Sequence, residues 1–208
     1  MTAKTLRQWA GLAPVSQVDA DTTVLVLIDI QMDYFTPGKL LIPGGEAAVS
    51  QAAALREWAR ANDIAIIHIQ QLSKNSSPLF ASGSVGAEFH PKVMPEGNET
   101  IIQKGLPSSF RGTVLQEYLT ERGIDTLVIA GLMTHMCVDS TTRDALHLGY
   151  KVIVVSDACA TRDLPLANGE GILPHGELHR ATLAALADRF ADVLPATSVM
   201  GLATRSKI

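Results

Sequence analysis

Cysteine is scarce in this chain: two of 208 residues, at positions 137 and 159. Two thiols so placed do not form the framework of a disulfide-stapled secreted domain, and a reducing cytoplasm is the compartment expected. Charge is sparse too, 18% of residues with a net of −4, and the lysines and arginines are scattered. No basic stripe is present to follow a phosphate backbone, so nucleic acid is not an expected partner. No apolar run approaches the ~20 residues of a membrane span, which speaks against a membrane partner. The opening MTAKTLRQWAGLAPVSQ has no apolar centre of the kind a secretory signal carries. Nor does a G-x-G-x-x-G follow the first apolar run in LIDIQMDYFTPGKLLIPGG, so no dinucleotide is expected.

What remains is a 47% hydrophobic chain, long enough to bury about 70% of its unfolded surface as a single domain over 1–208. Four short runs rich in Val and Ile stand out: VLVLIDI (24–30), IAIIHIQ (64–70), LVIAG (127–131) and KVIVVSD (151–157). Their near-continuous apolarity predicts strands buried on both faces, as in a parallel sheet. TIIQK (100–104) and ADVLPA (191–196) supply a fifth and a sixth strand. Apolar residues at helical spacing fill 46–62, 111–122, 137–148 and 176–190, with Gly123 and Gly149 at expected C-caps. Strands alternating with helices predict an α/β fold of three layers, α/β/α. Its doubly wound, mostly parallel six-stranded sheet is Rossmann-like, in the order 3-2-1-4-5-6. The irregular stretch 71–99 is too long for a plain connection and is expected to border the active site.

In such sheets ligands bind beyond the carboxyl ends of the strands. Three reactive side chains arrive there: Asp29 after the first strand, Lys104 at the end of TIIQK, and Cys137 after LVIAG. Each has an ordinary reading alone: a strand-end cap, a solvated lysine, a small core hydrophobe. Together they complement one another. A buried Asp needs a cation, a cysteine at a helix start gains a stabilised thiolate, and a neighbouring carboxylate can take its proton.

The stretches LIDIQMDYF, IIQKGLPSSF and GLMTHMCVDSTTRDA resemble the isochorismatase-like cysteine hydrolases. That superfamily includes nicotinamidases, N-carbamoylsarcosine amidase, ureidoacrylate amidohydrolase and isochorismatase itself. The resemblance covers about residues 22–195, with the three motifs in the family's order. It implies a catalytic triad of Asp29, Lys104 and Cys137 that hydrolyses a C–N bond through a thioester. It also implies a cis peptide bond without proline between Leu132 and Met133, and an oxyanion held by the backbone N–H groups of Met133 and Cys137. For pocket lining it points to Phe35 and Tyr34, to Phe110, and to Thr134 and His135 flanking the turn; Gln31 and Gln70 are candidates for amide hydrogen bonds to a small-molecule substrate.

Nicotinamidases of the superfamily hold a metal through an Asp-x-His pair and a further His. Here Gln70, Gln71, Ser73 and Lys74 occupy that region, so no catalytic metal and no cofactor are expected. His68 reads as a core histidine, His90 as a loop residue within reach of substrate, His175 as a helix start and His179 as part of a solvated face. Arg143 and Asp144 read as an intrahelical or interface pair, and Cys159 as structural. Two other functions stay open. One is cleavage of an isochorismate-like vinyl ether, for which Lys39, Lys74, Lys92 and Arg111 are the local cations. The other is a thiol sensor without catalysis. Family members often form homodimers or homotetramers, and TLRQWAGL and VMGLATRSKI are candidate contacts.

Overall fold

The computed structural model describes residues 3–205. Six strands form the central sheet: β1 (Thr23–Ile28), β2 (Ala65–Gln71), β3 (Thr100–Lys104), β4 (Thr126–Leu132), β5 (Lys151–Ala160) and β6 (Asp192–Leu194). All neighbours run parallel, and the spatial order is β3-β2-β1-β4-β5-β6, the 3-2-1-4-5-6 arrangement expected. The order reverses beside β1, so the crevice outside β1 and β4 is the topological switch point.

Alternation along the strands divides the core. Leu25, Leu27, Val128, Ala130 and Leu132 face one layer, built by α2 (Gly45–Ala61) and α6 (Ala196–Met200). Val24, Val26, Ile28, Ile67, Ile69, Leu127 and Ile129 face the other, built by α3 (Leu115–Glu121), α4 (Asp139–His147) and α5 (His175–Arg189). A short helix, α1 (Leu6–Trp9), precedes the sheet, and the parallel pair Gln17–Asp19 and Ala203–Arg205 joins the two ends of the chain. The hairpin Leu164–Pro165 and Ile172–Leu173 stands beyond the end of β5. Among the described residues no helix is long and apolar enough to cross a membrane.

Two helices differ from the sequence reading. The segment expected to be helical over 111–122 begins only at Leu115, because Ser108, Ser109 and Thr113 form side-chain and backbone bonds that hold the preceding residues in turns. The segment expected over 137–148 starts with a π-helical turn, Thr134–Val138, and becomes α-helical at Asp139. π-Bulges of this kind concentrate at functional sites.

Candidate active site

The switch point is built by close approach of two backbones. Gly131, near the end of β4, has φ +134, and a Cβ placed there would lie 2.1 Å from the carbonyl oxygen of Ile28. Only glycine lets β4 come this near to β1. Immediately beyond, the Leu132–Met133 peptide bond is cis, and the chain enters the π-helical turn that carries Cys137. On β1 the chain leaves the strand through Asp29 in the left-handed region, φ +49, which the short polar Asp tolerates better than most residues. Its N–H donates to Ile69 O at 3.0 Å.

These turns gather three side chains in one buried spot. Lys104 Nζ lies 2.7 Å from Asp29 Oδ2, with both side chains fully buried. The same nitrogen donates to Cys137 Sγ at 3.3 Å and to Gln71 Oε1 at 2.8 Å. The Asp29 carboxyl also acts electrostatically on the Cys137 thiol. An ammonium has three N–H donors and no acceptor, so all three of its bonds are accounted for here.

The electrostatics correct one expectation from the sequence. Burial raises the Asp29 carboxyl, while the charge and hydrogen bond of Lys104 pull it back. Burial, and next the Asp29 carboxylate, push the Cys137 thiol up to about 12, against the pull of Lys104. Burial and the neighbouring carboxylate thus disfavour the preformed thiolate that a helix start suggested. The α-helix begins after Cys137, which weakens the dipole at that sulfur. Charge can arise on sulfur when its proton moves to the adjacent Asp29 carboxylate.

Around this cluster the predicted pocket residues separate. Gln31 is fully buried, and its amide is occupied by backbone. Its Nε2 donates to Gln71 O and Ala87 O at 2.9 Å, and its Oε1 accepts from Gln71 N–H at 2.7 Å. Gln70 donates to Ala87 O and accepts from Gln103. Both amides pin the 72–99 loop to the strand ends. Phe35 turns into the α2 layer, edge-on to His90 with centroids 4.6 Å apart. Phe110 stacks on Tyr150, the residue preceding β5 at the opposite edge of the sheet, with centroids 5.9 Å apart. Both rings are buried and pack against these neighbours. The aromatic that feels the cluster is Tyr34, whose phenol burial pushes well up, with the charges of Asp29 and Cys137 adding to the effect.

Thr134 is fully buried and shares a 2.9 Å hydrogen bond with His179 Nδ1. His179 therefore supports the turn from α5 and is not on a solvated face. Burial holds its ring below the usual histidine range. His135 Nδ1 is paired with Thr161 Oγ1 at 2.5 Å. His68 is buried against Glu99 at 2.7 Å, His90 faces Glu46, and His175 binds Asp163 at the start of α5. Arg143 pairs with Asp139 within α4, whereas Asp144 receives Ser108 and Arg111, tying the 105–113 loop to α4. Both cysteines are free thiols, and Cys159 is buried in β5.

Two further site residues escaped the sequence reading as functional candidates. Gln71 is the register partner of Lys104, on the same face as Ile67 and Ile69. Strand alternation gives its face, a signal available in the sequence, and the register of the two strands sets it beside the lysine. Arg162 follows Thr161 just past β5, and its charge reaches both Tyr34 and His135. Its Nε is buried without a hydrogen-bond partner. A metal of the nicotinamidase kind does not fit the end of β2, since Gln70 and Gln71 stand there with both amides engaged.

A doubly wound sheet whose switch point gathers a carboxylate, an ammonium and a thiol matches the class of hydrolase that the three motifs resemble. The comparison with family models agrees: residues 23–198 match the Isochorismatase domain. The chain belongs to the isochorismatase family and is a hydrolase. It is 40% identical over 173 residues to the isochorismatase family protein YddQ of Bacillus subtilis, covering 83% of this chain and 95% of that protein. It is 30% identical over 193 residues to the maleamate amidohydrolase of Pseudomonas putida, covering 85% and 84% respectively. A crystal structure of an isochorismatase hydrolase from Oleispira antarctica superposes with a TM-score of 0.83 at 38% identity, over 87% of this chain and 97% of that one.

Proposed function

We propose that the protein is a metal-independent cysteine amidohydrolase that cleaves the C–N bond of a small amide carrying a carboxylate. The observation that carries this reading is the single ammonium of Lys104 at 2.7 Å from Asp29 and 3.3 Å from the Cys137 sulfur. A base, a nucleophile and a fixed positive charge are thereby within one proton transfer of each other.

In this reading the Cys137 proton passes to Asp29 as sulfur attacks the carbonyl carbon. Lys104 holds the charge on sulfur and keeps Asp29 oriented. The tetrahedral oxyanion accepts hydrogen bonds from the backbone N–H groups of Met133 and Cys137. Collapse expels the amine, which takes the proton from Asp29 and leaves a thioester on Cys137. Asp29 then deprotonates a water that attacks the thioester, and its proton returns to the departing sulfur. Arg162, with its charge felt at Tyr34 and its Nε unpartnered, supplies the cation for a substrate carboxylate. Maleamate, for which one relative is named, combines an amide with a carboxylate. The same reading places a free-thiol enzyme in a reducing compartment and expects a homo-oligomer; light scattering showing a monomer ends the latter. In α1, Leu6 and Trp9 are exposed candidates for that contact, and the last three residues of the other candidate lie outside the described residues.

The test is ammonia release from a panel of small amides, carbamoyl compounds and ureides, with isochorismate as a further arm. The expected result is turnover of an amide acid that Cys137→Ala abolishes. Turnover of isochorismate alone, or undiminished ammonia release by Cys137→Ala, overturns the reading.

A further inference from the structure

We propose that Gln71 is a positioning residue for the thiol: its amide oxygen takes the third N–H of Lys104 and thereby aims the ammonium at both Asp29 and Cys137. The inference rests on the cysteine-hydrolase reading, to which it adds a member that the three sequence motifs do not contain.

Lysine is a poor instrument for fixed geometry. Its ammonium ends a flexible four-carbon stem and rotates freely. Lys104 is nevertheless held on three sides, by Asp29 at 2.7 Å, Gln71 at 2.8 Å and Cys137 at 3.3 Å. The longest contact is the one to sulfur, the atom that must react. With the Gln71 contact gone, one N–H of a fully buried cation would lack an acceptor, and the group would swing toward whatever oxygen it could reach. The orientation of the Gln71 amide is fixed by chemistry, since an ammonium only donates and so selects the carbonyl end.

Gln71 is itself anchored. Gln31 Oε1 accepts from its backbone N–H at 2.7 Å, and Gln31 Nε2 donates to its carbonyl oxygen at 2.9 Å. Two amides in series thus connect the 72–99 loop, through Ala87 O and Gln31, to Gln71 and on to Lys104. The titratable groups in contact with this ammonium are Asp29 and Cys137, and the charges of both, with that of Arg162, are felt at Tyr34.

The experiment compares Gln71→Met, which keeps length and removes the acceptor, with Gln71→Glu, which keeps the acceptor and adds a charge. Alkylation of Cys137 by iodoacetamide is followed by mass across pH, beside kcat and KM for ammonia release and a melting curve for each variant. Gln71→Met should slow alkylation and lower kcat by roughly tenfold or more, the factor a lost hydrogen bond to a charged group corresponds to, with KM within about threefold. Gln71→Glu should retain more rate at high pH, while its alkylation profile moves up by about half a pH unit or more, because a second carboxylate disfavours a charged sulfur. A purely structural glutamine would give variants that lose rate and melting temperature together with an unmoved pH profile, and that result overturns the inference. So does alkylation by Gln71→Met within twofold of the parent. Alkylation that responds as stated in a protein without amide turnover supports the positioning role and removes the hydrolase reading, so the two failures are distinct.

Discussion

Replacing Lys104 by Met tests the buried ion pair with a sign that is hard to obtain by accident. The pair is 2.7 Å apart and neither side chain reaches solvent. At an effective dielectric of about 20 the attraction at that distance is on the order of 6 kcal/mol, part of which desolvation offsets. Removing only the cation leaves Asp29 as a lone buried carboxylate, a change that destabilises by about 3–5 kcal/mol. The site relieves this by keeping Asp29 protonated, so a carboxyl already raised by burial rises further. Between the unfolded and folded titration ranges the folded state then binds more protons than the unfolded one, and stability falls as pH rises, by up to ~1.4 kcal/mol per unit. The deficit of Lys104→Met should therefore be small near the ordinary carboxylate range and grow toward neutral pH. At about 2–4 °C per kcal/mol for a chain of this size, a 3 kcal/mol loss lowers the melting temperature by roughly 6–12 °C. Urea unfolding of parent and variant at several pH values between 5 and 8 measures the trend. Turnover should drop by about a hundred- to ten-thousandfold, since a protonated Asp29 accepts no proton. A deficit that is the same at every pH, or below about 0.5 kcal/mol throughout, refutes the assignment of Asp29 and Lys104 as a coupled buried pair.

Two other outcomes follow from the same geometry. Gly131→Ala puts a methyl 2.1 Å from Ile28 O at φ +134, so it combines overpacking with a disfavoured backbone. A loss of about 2–5 kcal/mol is expected in chemical unfolding, and a melting temperature within a degree of the parent contradicts it. The acid side of the kcat/KM profile should titrate above the ordinary carboxylate range, because Asp29 must be ionised to act and burial raises it; a midpoint near ~3.9 contradicts that.

The fold was legible because buried parallel strands write themselves as unbroken Val and Ile runs, and VLVLIDI, LVIAG and KVIVVSD are such runs. The chemistry at strand ends was legible for the same reason: Asp29, Lys104 and Cys137 are polar or reactive residues exactly where apolar strands stop. Ring and amide directions were not. Phe110 follows the lysine loop by six residues, yet a turn held by Ser108 and Thr141 sends its ring to Tyr150. Gln31 lies two residues from Asp29, but the 72–99 loop brings Ala87 O to its amide, a contact between positions 56 apart that no local pattern encodes. Gln71 is the opposite case. Alternation puts Gln71 on the face of Ile67 and Ile69 and Lys104 on the face of Ile102, and the register of β2 against β3 then sets the amide beside the ammonium.

The most direct measurement is of the bond the mechanism requires. Rapid quenching of the enzyme during turnover of an amide substrate, followed by mass analysis of the peptide carrying Cys137, should reveal an acyl group on that sulfur that hydroxylamine removes. The adduct should be absent from Cys137→Ala and should fail to form in Asp29→Asn. Steady hydrolysis with no acyl group ever captured on Cys137, or with the group found on another residue, contradicts the account.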